Sequence, residues 1–150
     1  IRNSREGRLN CPDNKISSFG FFVRLNNPVF KNRHENEPTL WTNPEMVTDG
    51  WITGTFPAVE IQPGDRFVAD IGCLEGYDRC DVIFRLNYRI DGDPMRTLGE
   101  WHEVYDGKIT RVDVDLSPLS GEDVQIILSV LANGSSRDDA AFWLNPHIDR

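Results

Sequence analysis

The sequence predicts an all-β fold, an antiparallel sandwich or jelly roll, on three observations. Roughly eight short apolar runs are separated by turn signals, as in sandwiches built from short strands. The clearest of them alternate apolar and polar residues with a period of two, the mark of a strand buried on one side. No stretch of helical length carries a convincing amphipathic pattern.

Taken in order, residues 1–18, "IRNSREGRLNCPDNKISS", are polar and aperiodic and read as a leader or linker. Residues 19–150 read as one domain, a size that suits a single core. "FGFFVRLNN" at 19–27 is aromatic-rich and strand-like. Residues 28–49, "PVFKNRHENEPTLWTNPEMVTD", hold three prolines among clustered Asn and Glu and read as one long loop of the functional kind. "GWITGTF" is β-rich and stops at Pro57. In "VEIQPGDRFVADIGC" a Pro-Gly-Asp turn precedes a strand with Phe67, Ala69 and Ile71 on one face.

The next run, "DVIFRLNYRI", alternates most cleanly. Val82, Phe84, Leu86, Tyr88 and Ile90 share one face, while Asp81, Arg85, Asn87 and Arg89 share the other, interrupted by Ile83. "RTLGEWHEVY" follows a "DGDP" turn, and "KITRVDVDL" follows Asp106-Gly107 with Val112, Val114 and Leu116 facing inward. "VQIILSVLA" is apolar on both faces and so predicts a central strand. "AAFWLNPHI" closes the domain.

The composition excludes several function classes. The net charge is −8, from 24 acidic and 16 dispersed basic residues, which argues against nucleic-acid binding. No apolar run approaches the ~20 residues of a membrane span. The start at Ile1, without an initiator Met, reads as a piece of a larger protein. No nucleophile elbow, zinc-protease helix or phosphate loop is present. His34, His102 and His147 stand apart and read as surface histidines.

Cys73 and Cys80 enclose six residues, a spacing that fits neither a zinc knuckle nor a Cys-x-x-Cys redox centre. They are expected to form a disulfide that staples a hairpin between adjacent antiparallel strands, which implies an oxidising compartment. Cys11 is left over. "NGS" at 133–135 matches a glycosylation acceptor and equally a turn.

Two further groups bear on chemistry. Asp113 and Asp115 fall on one strand face ~7 Å apart, within range for a glycosidase pair, although Arg111 shares that face. Of the four tryptophans, Trp143 and Trp51 read as core, and Trp101 with Glu103 and Tyr105 as a face open to solvent. Trp41, in the Pro-rich loop, reads either as a platform for stacking on a sugar or as a loop anchor.

The succession "GDRFVADIGC", "DVIFRLNYRI", "VDVDLSPLSGEDVQIILSVLANG" and "DDAAFWLNPHI" resembles the NPCBM-type carbohydrate-binding modules, galactose-binding-like jelly rolls. The resemblance runs over about residues 50 to 148 and loosely back to 19. The family's closing motif reads Asp-His-Ala-Asp-Trp; here Asp139, Ala141 and Trp143 match it, while Ala140 and Phe142 replace the His and the second Asp. The resemblance implies a non-catalytic sugar-binding module of a secreted or cell-envelope bacterial protein.

Loops at one end of the jelly roll are then expected to hold the sugar. The expected contacts are Trp41, His34 and Asn43 from the long loop, with Arg137 and Asp138 from the last one. Related jelly rolls often carry a calcium ion, which the resemblance would seat near Asp138 or Asp139. The alternative is a protein-interaction or adhesion module using the sheet face of Trp101 and Tyr105, and a third reading is a small glycoside hydrolase using Asp113 and Asp115.

Overall fold

The computed structural model describes residues 2–4, 9, 16–26, 29–30, 33–34 and 36–150. Alternation along the strands is realised as two antiparallel sheets packed face to face. The first sheet runs β1 (Arg2–Asn3), β6 (Trp51–Thr55), β12 (Asp123–Ala132), β9 (Asp81–Ile90), β10 (Arg96–Val104), with β7 (Val59–Glu60) also paired to β12. The second runs β11 (Thr110–Asp115), β8 (Arg66–Cys73), β13 (Ala141–Asp149), β5 (Thr39–Asn43), β2 (Phe21–Leu25). A small hairpin, β3 (Val29–Phe30) with β4 (Arg33–His34), stands apart from both. Helix among the described residues is confined to one 3-10 turn, Ser117–Leu119, and none is long and apolar enough to cross a membrane.

The core lies between the sheets and is built from the inward halves of the alternating strands. Phe84 and Leu86 of β9, Val130 and Leu128 of β12, and Ile71 and Ala69 of β8 meet there. Trp143 of β13 is fully buried, edge-on to Phe84 at 5.0 Å and to Phe67 at 6.3 Å between ring centroids. β12 is central in its sheet, between β6 and β9.

Four expectations are corrected. The 28–49 stretch is not one loop, because β5 occupies Thr39–Asn43 and pairs with both β2 and β13. Pro38 and Pro44 bracket a strand only five residues long, so Pro-rich flanks conceal a β-prone core. The stretch read as a leader contributes β1, whose Arg2 pairs with Thr53. Trp101 and Tyr105 do not form an open aromatic face; both are half-buried against the inner core, and a Cβ at Gly99 would overlap the Trp101 ring.

The fourth correction concerns the cysteines. Cys73 and Cys80 are bonded, with Cα atoms 6.2 Å apart. Yet Cys73 ends β8 in the second sheet, and Cys80 immediately precedes β9 in the first. The bridge therefore pins a crossover between sheets rather than a hairpin within one. Cys11 lies outside the described residues.

Candidate functional site

The outward halves of the first sheet's strands can be read as rows by cross-strand register. One row is Trp51, Leu131, Ile83 and His102. The next is Arg2, Thr53, Ser129, Arg85 and Glu100, and beyond it lie Thr55, Ile127, Asn87 and Thr97. Gln125 and Arg89 form the last. Arg2, Trp51, Thr53, Arg85, Asn87, Arg89 and Ser129 of these rows, with Met95, are among the residues that line a groove of about 350 Å³ on the outer face.

The floor of the groove is polar and fixed. Thr53 and Ser129 share a hydrogen bond of 3.0 Å between hydroxyls, and Asn87 Nδ2 donates to Ser129 Oγ at 3.0 Å. Thr97 Oγ1 donates in turn to Asn87 Oδ1 at 2.8 Å. This chain crosses four strands, and its members Asn87 and Ser129 are buried although they sit on an outer face. A hydrogen-bonded floor of this kind presents hydroxyl and amide groups in set positions.

The walls are long side chains. Trp51, half-buried, offers an indole edge of the kind that packs on apolar ligand surfaces, which corrects its assignment to the core. Arg85 Nε meets Glu100 Oε2 at 2.5 Å, while Arg89 directs Nε and Nη2 at the neutral Gln125 Oε1, at 3.1 and 2.8 Å. Arg2 has no ion pair or hydrogen bond through its side chain among the described residues. A polar depression lined by Asp91, Asp93 and Asp123 adjoins the groove at Arg89 and Gln125.

The residues expected to hold a sugar are placed differently. Trp41 lies on β5, half-buried on the outer face of the second sheet, edge-on to Phe21 at 5.0 Å and tilted against Tyr77 at 6.2 Å. It belongs to a second apolar cluster with Leu74, Phe142 and Leu144, and so packs as an anchor does. Asn43 is buried and donates Nδ2 to the Pro44 carbonyl at 3.0 Å. His34 falls on β4, where its backbone pairs with Val29, and its side chain lies outside the described residues. Arg137 and Asp138 are exposed on the β12–β13 connection.

The two aspartates expected near a calcium ion sit in opposite settings. Asp138 is exposed with φ 65°, whereas Asp139 is fully buried. Asp139 Oδ1 accepts the Asp81 N–H at 3.1 Å and its Oδ2 has no hydrogen-bond partner. Burial pushes this carboxyl up to about 7. Among the described residues no group of three or more His, Cys, Asp or Glu is placed to hold a metal ion.

Asp113 and Asp115 form no glycosidase pair. Both are exposed on β11, an edge strand; Asp113 is held by Arg66 Nε at 2.6 Å. Hydrogen bonds from Ser117 hold Asp115 below the usual carboxylate range, the opposite of what a general acid needs. Arg111 turns to Asp70 at 3.3 Å.

No protein-family model matches the chain, and no curated protein matches it. Among solved structures it is similar to TmCBM61 in complex with β-1,4-galactotriose, with a TM-score of 0.52 at 12% identity over 80% of this chain and 75% of that one. The fold is that module's jelly-roll sandwich. Lesser likenesses are to a CBM4 protein (TM-score 0.44, 8% identity, 77% of this chain and 71% of that one). Another is to a family 43 arabinoxylan arabinofuranohydrolase from Bacillus subtilis in complex with cellotetraose (TM-score 0.40, 8% identity, 85% of this chain and 25% of that one). On this jelly roll the groove combines an aromatic wall with a hydrogen-bonded floor. Its residues come from four strands and the β9–β10 connection, far apart in sequence, which is why no local motif announces it.

Proposed function

We propose that the protein is a non-catalytic carbohydrate-binding module that lays a glycan chain across the outer face of the first sheet. The observation that carries this reading is the ladder Thr53–Ser129–Asn87–Thr97 with Trp51 in the adjacent row. Sugars present hydroxyls on their rims and C–H groups on their faces. A floor of hydroxyl and amide groups beside an indole matches both, since small-ligand sites combine apolar walls with a few fixed polar groups. The strands from β1 to β10 span about 19 Å at ordinary strand spacing, long enough for several sugar units.

The likeness in fold to a module bound to β-1,4-galactotriose supports this reading, as do the motifs that resemble NPCBM-type modules. The disulfide suits a secreted or cell-envelope setting, where such a module works as part of a larger bacterial protein. The adhesion alternative loses its motive once Trp101 and Tyr105 pack inward.

Titration of the protein against a panel of neutral and acidic oligosaccharides tests the proposal, with Trp51→Ala and Asn87→Ala as probes of the groove. Binding that both substitutions weaken at least tenfold supports it. Binding untouched by either moves the site elsewhere, with Trp41, Arg137 and Asp138 the next to be substituted.

A further inference from the structure

We infer that the glycan held in this groove is anionic, a polysaccharide with carboxylates on more than one of its sugar units. The inference rests on the groove reading and adds the class of sugar. The chain as a whole carries a net charge of −8. Against that background, Arg2, Arg85 and Arg89 all line the groove, and no Asp or Glu does. A groove lined by one sign of charge focuses its field and raises the local concentration of an oppositely charged ligand.

The three guanidinium groups are not equivalent. Arg85 is neutralised by Glu100 at 2.5 Å and serves the groove as a wall. Arg89 is oriented by two hydrogen bonds to the neutral Gln125 amide oxygen, which positions the fork and leaves its charge uncompensated by any ion pair. Arg2 has neither ion pair nor side-chain hydrogen bond among the described residues. A planar guanidinium matches a carboxylate by two parallel hydrogen bonds, which a neutral hydroxyl cannot return with charge.

The spacing specifies a polymer rather than a single acid. Arg2 on β1 and Arg89 on β9 are three strand spacings and four residues of strand apart, about 19 Å between backbones. One carboxylate does not serve both, whereas a chain bearing an acid on successive units does. Asp91, Asp93 and Asp123, beyond Arg89, oppose an anion at that end, so the stronger attraction falls at Arg2.

The test compares oligogalacturonate, the same oligomer after carboxyl reduction, and a sulphated galactan, by calorimetric titration of the intact protein. At least tenfold tighter binding of the oligogalacturonate than of its reduced form is expected. In Arg2→Gln/Arg89→Gln that ratio should fall to within about twofold of unity, with the unfolding midpoint recorded to show that the variant folds. Arg66→Gln, on the other sheet, should keep the ratio. Equal or tighter binding of the reduced chain overturns the inference and leaves the groove reading standing, as does preference for the sulphated chain. An unchanged ratio in the folded double variant also overturns it. Failure of every chain to bind overturns both.

Discussion

Trp143 stands edge-on to Phe84 across the middle of the sandwich, with ring centroids 5.0 Å apart and planes at 80°. One ring belongs to β13 of the second sheet and the other to β9 of the first, so the pair joins the layers. Trp143→Ala should cost ~3–5 kcal/mol, the usual loss for removing a large core aromatic. Chemical denaturation followed by far-ultraviolet circular dichroism measures it. An unchanged midpoint would contradict the burial of this ring.

Trp41 and Trp51 should separate cleanly. Trp41 packs against Phe21 and Tyr77, so Trp41→Ala should lower stability by ~2–3 kcal/mol, less than for a fully buried ring. Trp51 stands half-buried in the groove wall, so Trp51→Ala should stay within ~1 kcal/mol of the parent and lose glycan affinity. Paired melting and titration on both variants decides which tryptophan serves the fold and which the ligand.

Asp139 makes stability depend on pH. Its carboxyl is raised from 3.8 to about 7, chiefly by burial, while the unfolded chain keeps the ordinary value. Between about pH 4 and 7 the folded protein therefore holds a proton that the unfolded chain has released, and stability falls as pH rises through that window. Asp139→Asn keeps an oxygen to accept the Asp81 N–H and removes the ionisation. It should flatten the profile over this range and melt higher than the parent at pH 8. Parallel slopes for the two proteins would show that other groups set the dependence.

Reduction of Cys73–Cys80 should destabilise by ~2–3 kcal/mol, the scale for a short closed loop. Melting with and without a reducing agent measures this, with Cys73→Ser/Cys80→Ser as the control that no longer responds.

Much of the fold was legible because β9 and β11 each bury one face, and burial of one face writes period two into the sequence. β5 was not, since five residues between two prolines give too short a run for alternation to stand out. The groove was half legible. Arg85, Asn87 and Arg89 could be placed on the outer face of β9 from alternation alone. That Ser129 and Thr53 complete their row depends on register between strands, which is set by three-dimensional packing of distant segments rather than by local pattern. Trp51 was misread for the same reason: its neighbour Ile52 is the inward residue, and a five-residue strand leaves the choice of face open.

The crossover disulfide also gives the sandwich a mechanical polarity. A polymer bound as proposed would pull on the first sheet, and tension would reach the second through whatever joins them. At the Cys73 end that joint is covalent. At the other end of β8, about 20 Å away, Phe67, Ile126, Leu128 and Ile148 leave an apolar cleft of about 180 Å³ between the layers. The backbone itself crosses between the sheets at that end, from β7 to β8 and from β11 to β12, so both ends of β8 are tied covalently to the first sheet and the cystine doubles the tie at one of them.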